Sequence, residues 1–160
     1  MNRGITMLNE KEQKEILAEI ARNEFPQAAG VAALRVVQQS RGFIADEVLL
    51  DLAALLGMTA DELDGIATFY PFIFRKPVGR NIILVCDSVS CWIMGYEGLL
   101  DHLQARLGIG FGETTADMRF TLLPVSCLGA CDHAPAIMVN GQRFGDLDRK
   151  KIDLILDDCP

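Results

Sequence analysis

The residues with the clearest capacity for chemistry are five cysteines in a chain of 160 residues. Four of them form two close pairs, Cys86 with Cys91 and Cys127 with Cys131, in the pattern C-x4-C, thirty-five intervening residues, C-x3-C. Four thiolates can coordinate the two irons of a [2Fe-2S] cluster, and four thiolates can also hold zinc. Cys159 has no partner at ligand spacing and lies beside the C-terminus, so we expect a spectator in a segment that frays.

Spacing alone leaves three interpretations open: an iron–sulfur cluster, a zinc site, and buried cysteines without a ligand. The spacing matches neither the bacterial [4Fe-4S] run nor the plant-type array, with which it shares only the x4 gap. Zinc ribbons usually pair cysteines two residues apart. Between Cys127 and Cys131 the chain is small and apolar, so we expect backbone N–H groups to approach sulfur and solvent to be kept away. These surroundings favour an iron–sulfur cluster over a zinc site.

Composition excludes several classes of function. The formal net charge of -7 argues against a nucleic-acid partner, which would require clustered Lys and Arg. The longest uncharged run spans only Phe120 to Cys131, so we expect no direct membrane insertion. The polar start, MNRGITMLNEKEQKE, does not resemble a secretory signal, which predicts a cytoplasmic location. An odd cysteine count in that reducing compartment is not a disulfide framework, and no C-x-x-C motif indicates thiol–disulfide exchange.

Two histidines are the other candidate ligands. His133 follows Cys131 by two residues, and imidazole replaces thiolate in Rieske-type centres. Four cysteines already suffice, so we interpret His133 as a surface-loop residue and His102, next to Asp101, as an exposed helical one. No G-x-G-x-x-G follows a predicted strand, so no nucleotide fingerprint is present, and we assign no catalytic residue.

The first seventy residues predict a small helical bundle. Capping residues and apolar positions at helical spacing indicate four helices. The predicted caps are Asn9 with Glu12, Asp46, and Thr59 with Glu62. The second helix is predicted to begin at Pro26, and the predicted ends include Gly42 and Gly57.

The pattern changes at the segment KPVGR, residues 76–80. We therefore predict a helical domain over 1–76 and a second domain over 77–160. The order strand, helix, strand, hairpin, helix favours a mixed sheet covered by helices. The fold class is thus α+β, an N-terminal helical bundle followed by a thioredoxin-like α/β domain. The predicted elements are strands at 81–86 and 119–123, a helix ended by Gly108, a hairpin of 136–139 and 142–144 about Asn140-Gly141, and a final helix carrying Ile152.

These motifs closely resemble the thioredoxin-like [2Fe-2S] ferredoxin family, in particular the E subunit of the NADH dehydrogenase module of bacterial respiratory complex I. The resemblance covers nearly the whole chain. One departure is Trp92 after Cys91, where the family often has His or another polar residue. The matching segments are ALRVVQ at 33–38, RG at 41–42, DGIATFY at 64–70, PVGR at 77–80, CDSVSC at 86–91 and CLGACDHAP at 127–135.

The resemblance implies a [2Fe-2S] cluster held by Cys86, Cys91, Cys127 and Cys131. It implies an electron-transfer subunit of NADH:quinone oxidoreductase, a translocase, that exchanges electrons with the FMN of a flavoprotein partner during NADH oxidation. FMN and NADH would bind that partner, and the chain alone would not turn over NADH. Through the flavoprotein it would join the iron–sulfur subunits of the peripheral arm, peripheral to the inner membrane.

Two alternatives remain open. The equivalent subunit of a soluble NAD-linked hydrogenase or formate dehydrogenase shares the same motifs. A zinc-stabilised interaction module would have no redox role. The aromatic run Phe69, Tyr70, Phe72 and Phe74 fits either a partner-binding surface or packing between the two domains.

Overall fold

The computed structural model describes residues 7–160. Part of the polar start, from which the cytoplasmic location was predicted, therefore lies outside the described residues. Two compact units divide the chain, one ending at Pro77 and the other spanning Val78–Pro160. Helices build the first unit, and a four-stranded mixed sheet with helices builds the second, so the predicted α+β class is confirmed. Within residues 7–160, no helix is long and apolar enough to cross a membrane.

Between residues 7 and 77, the first unit contains four α-helices around one apolar core. Two of them begin with reciprocal capping pairs, as predicted: Asn9 with Glu12 and Thr59 with Glu62. In each pair the cap side chain accepts the N–H three residues on and the glutamate accepts the cap's own N–H. The helices are α1 (Glu10–Ala21), α2 (Gly30–Arg41), α3 (Asp46–Leu56) and α4 (Ala60–Phe69).

Two predicted helix starts were wrong. Pro26 opens a 3-10 turn, Pro26–Ala29, and α2 begins only at Gly30. Asp46 is the first residue of α3 rather than its cap, because its carboxylate accepts a hydrogen bond from Arg75 at 2.7 Å instead of from the helix backbone.

A buried ion pair joins α1 to α2. Glu12 is 2% exposed, and its two carboxylate oxygens accept hydrogen bonds from the Arg41 guanidinium at 2.7 and 2.6 Å. Ser40 donates a further bond at 2.7 Å. These donors, led by Arg41, outweigh the cost of burial and hold the pKa of Glu12 at about 2.

The second unit is built on a sheet with strand order β2-β1-β3-β4. Strand β1 lies in the interior, parallel to β2 and antiparallel to β3, which explains its nearly continuous burial. Close packing admits only glycine just before β1, since a Cβ on Gly79 would lie 2.7 Å from the backbone of Phe120. The strands are β1 (Asn81–Cys86), β2 (Phe120–Val125), β3 (Ile137–Val139) and β4 (Gln142–Phe144).

Three helices complete the second unit: α5 (Val89–Ile93), α6 (Tyr96–Leu107) and α7 (Arg149–Asp158). The apolar faces of α6 and α7 share a core with the sheet. The C-terminal segment was predicted to fray, but in the structure its carbonyl groups accept hydrogen bonds. Arg119 donates to the carbonyls of Leu156, at 3.1 Å, and Cys159, and Asn81 donates to that of Pro160 at 2.9 Å.

Candidate metal centre

The first cysteine pair is positioned by the end of β1 and the short helix after it. Cys86 is the last residue of β1. Cys91 lies inside the short helix α5. Helix α5 begins after Ser88 and turns the chain back, so that both cysteines are buried in one small cluster with Ala134 and Ala136.

The two buried thiols differ in their hydrogen bonds. Burial raises the pKa of Cys86, but hydrogen bonding, chiefly with Ser88 at 3.3 Å, lowers that pKa overall. Burial also raises the pKa of Cys91, and the neighbouring Cys86 raises it further, so the pKa of Cys91 stays above its usual value. Cys86 is the more readily ionised of the pair.

The second pair flanks a loop that follows β2, which we call the 127–131 loop. Gly129 occupies a left-handed conformation, φ 68°, and donates its N–H to the sulfur of Cys127 at 3.3 Å. Cys131 begins a 3-10 turn, Cys131–His133. Both cysteines are exposed, so the expectation that the loop keeps solvent away from them was wrong. Its small residues allow the close N–H approach, but they are too short to cover the sulfurs.

The structure brings the four sequence-predicted ligands only partly together. Cys86 and Cys91 are in contact, and Leu128 and Ala130 of the 127–131 loop pack against the cluster that buries them. Across residues 7–160, no group of three or more His, Cys, Asp or Glu side chains is arranged to hold a metal ion. The ligand assignment of all four cysteines therefore stays a prediction.

The donor set suits an iron–sulfur cluster. A backbone N–H group is already directed at one of the four sulfurs, that of Gly129 at Cys127 at 3.3 Å. Such N–H···S bonds disperse the negative charge of thiolates and tune iron–sulfur potentials. The four cysteines, two from β1 and α5 and two from the 127–131 loop, are the residues that would hold the cluster.

The histidines have structural partners. His133 is exposed, as predicted, and its Nδ1 lies 2.8 Å from Asp146, which raises its pKa. His102 is not the exposed residue that we predicted. It is partly buried, with Nε2 2.9 Å from Asp153 of α7, an acceptor fifty-one residues away in sequence.

Helix α5 also carries an exposed apolar surface that the sequence did not single out beyond Trp92. Val89, Trp92, Ile93 and Met94 are all largely exposed beside buried Cys91, and we call them the α5 patch. Val89, Trp92 and Ile93 are spaced so that they lie on the same face of a helix, and this spacing could have indicated the patch from the sequence. Phe69, Tyr70 and Phe72 of the first unit are exposed as well.

Comparison with known proteins identifies related sequences. The model of the thioredoxin-like [2Fe-2S] ferredoxin family matches residues 14–160. The E subunit of the NADH-quinone oxidoreductase of Pseudomonas aeruginosa is 49% identical over 141 residues, which cover 88% of this chain and 85% of that protein. Its counterpart of the same name in Escherichia coli is 43% identical over 150 residues, covering 94% and 90%.

A solved structure shows the same architecture. In the air-oxidized NAD+-reducing [NiFe]-hydrogenase, one chain superimposes with a TM-score of 0.72 and 31% identity over 82% of this chain. The present chain spans only 22% of the length of that hydrogenase chain.

Proposed function

Because the chain belongs to the thioredoxin-like [2Fe-2S] ferredoxin family, we propose that it is the [2Fe-2S] electron-transfer subunit of an NADH-quinone oxidoreductase. Its ligands would be Cys86, Cys91, Cys127 and Cys131. The observation that carries the assignment is the buried cluster of Cys86 and Cys91, against which the loop that joins Cys127 to Cys131 packs. Relatives named as the E subunit of that enzyme are 43 to 49% identical over most of their length, and they support the proposal that this chain is a subunit of such a complex.

The residues of this chain perform a holding and tuning role. When bound, the cluster supplies one-electron redox chemistry. Burial fixes Cys86 and Cys91, whereas the exposed Cys127 and Cys131 leave one side of the site open to a partner. The hydrogen bond from Gly129 stabilises negative charge on the Cys127 sulfur, which eases acceptance of an electron.

We assign NADH oxidation to a flavoprotein partner that binds NADH and FMN. NADH would deliver two electrons to that flavin as a hydride, and this chain would accept one of them and return it. The chain alone would not turn over NADH, and its link to the membrane and to the other iron–sulfur subunits would run through the partner. The α5 patch supports this arrangement, because it places exposed apolar side chains beside Cys91, where a docking protein would bring its cofactor near.

Coexpression with the flavoprotein subunit tests this assignment. Ile93 in the α5 patch and Leu154 on α7 are both 69% exposed, so Ile93→Asp and Leu154→Asp introduce the same charge at equally exposed apolar positions. We expect Ile93→Asp to reduce copurification and anaerobic reduction of the chain by NADH, and Leu154→Asp to preserve both. Equal behaviour of the two variants would contradict docking through α5, and no reduction of the wild-type pair by NADH would contradict the function.

The structural match to an NAD+-reducing hydrogenase favours a second candidate, the equivalent part of a soluble NAD-linked enzyme. The two share the same centre and differ in their partners. Purification from the native organism, followed by identification of the copurifying subunits, separates them: quinone-reductase subunits support the first and hydrogenase or formate dehydrogenase subunits the second. Colourless protein with stoichiometric zinc would instead indicate the zinc-stabilised module.

A further inference from the structure

One peptide group of the 127–131 loop connects a cation to a predicted ligand. The Leu128 carbonyl accepts a hydrogen bond from Nη1 of Arg143 at 3.2 Å. The N–H of the same peptide belongs to Gly129 and donates to the sulfur of Cys127 at 3.3 Å. Because the carbonyl and the N–H of one peptide are conjugated, a cation bound at the oxygen makes the N–H a stronger donor.

Arg143 is well placed to hold this loop. It lies on β4 opposite Met138 of β3, and the same Nη1 also approaches the Gly129 carbonyl at 3.5 Å. Arg143 therefore contacts two successive carbonyls of the 127–131 loop, those of Leu128 and Gly129.

We propose that Arg143 is a positioning residue that raises the reduction potential of the cluster by polarising and fixing the peptide between Leu128 and Gly129. The inference rests on the proposed function. One-electron reduction adds a negative charge to a centre with four thiolates, so a nearby cation and a strengthened N–H···S bond stabilise the reduced state more than the oxidised state.

The potential of the reconstituted full-length chain tests this role. Arg143→Leu removes the charge and the donors, Arg143→Lys retains the charge, and Arg149→Leu removes an equal charge from the first residue of α7. Anaerobic titration with dithionite, followed by electron paramagnetic resonance, gives each midpoint. We expect Arg143→Leu to lower the equilibrium constant of reduction about fivefold, roughly 40 mV for one electron. Arg143→Lys should recover more than half of that shift, and Arg149→Leu should match wild type.

Three outcomes would overturn the inference. The first is an Arg143→Leu midpoint equal to wild type, and the second is an equal fall in Arg149→Leu, which would indicate net charge alone. If Arg143→Leu does not retain the cluster, Arg143→Gln is measured in its place. The third outcome is a midpoint of Arg143→Gln equal to that of wild type. If the wild-type chain binds no [2Fe-2S] cluster, the proposed function itself is contradicted. If it binds a cluster whose midpoint potential does not depend on Arg143, only this inference is contradicted.

Discussion

Replacing Glu12 by Gln removes the charge of the buried ion pair between α1 and α2 while keeping the side chain's size. The Glu12 carboxylate is 2% exposed and accepts two short hydrogen bonds from Arg41. Its pKa falls from an ordinary 4.5 to about 2, a difference that corresponds to ~3 kcal/mol of stability at neutral pH. Removal of one partner also leaves the other charge poorly compensated, which typically costs about 3–5 kcal/mol for a buried pair. We therefore expect Glu12→Gln to lower the opening free energy of the first unit by ~3 kcal/mol.

The sign of the pH dependence follows from a lowered carboxylate pKa. The stabilisation is fully present above about pH 4.5 and disappears as the pH falls towards 2, because protonated Glu12 resembles Gln. The deficit of Glu12→Gln should therefore shrink across this range. Native-state hydrogen exchange, measured by mass spectrometry on α1 and α2 peptides of the full chain, reports this unit alone.

Glu62 provides the matched control for Glu12. It occupies the same position in the second capping pair, with Thr59, but it is exposed. Glu62→Gln should produce a clearly smaller loss. A Glu12→Gln protein within about 0.5 kcal/mol of wild type at pH 7, or a deficit that persists unchanged to pH 2, would refute the reasoning from the buried pair.

Other substitutions test packing, capping and the spectator cysteine. Gly79→Ala forces a Cβ to 2.7 Å from the backbone of Phe120 and should cost about 1–3 kcal/mol, visible as a lower Tm, whereas Gly65→Ala meets nothing within 4 Å inside α4 and should stabilise by about 0.5–1 kcal/mol. Thr59→Ala removes a helix cap and should cost about 1 kcal/mol in urea unfolding; no loss would show that the cap is dispensable. Cys159→Ser should leave the iron content and the paramagnetic signal unchanged, and a loss of either would make Cys159 part of the site.

Much of the fold could be predicted because local sequence signals agreed with packing. The apolar run of β1 is bounded by Gly79 and by polar residues after Cys86, and its predicted limits match the structure. The capping pairs at Asn9 and Thr59 also formed as expected. Helix α5 was missed because it has only five residues and exposes most of its apolar side chains, so burial periodicity gives no signal.

Contacts between distant segments could not be predicted. The burial of His102 depends on Asp153 of α7, and the fixed C-terminus depends on donors from Arg119 and Asn81. The cysteine types and spacing indicated a centre, but the N–H donor that reaches the Cys127 sulfur arises from the conformation of the 127–131 loop. Arg143, which holds that loop from β4, carries no local sequence signal.

The most direct test of the electron-transfer role is an anaerobic purification with iron and sulfide assays and electron paramagnetic resonance before and after dithionite reduction. We predict two irons and two sulfides per chain, a silent oxidised state and a rhombic S = 1/2 signal on reduction. Serine variants of Cys86, Cys91, Cys127 and Cys131 should each impair this signal. Stoichiometric zinc in a colourless, folded protein, with no signal even after attempted cluster reconstitution, would contradict the [2Fe-2S] assignment.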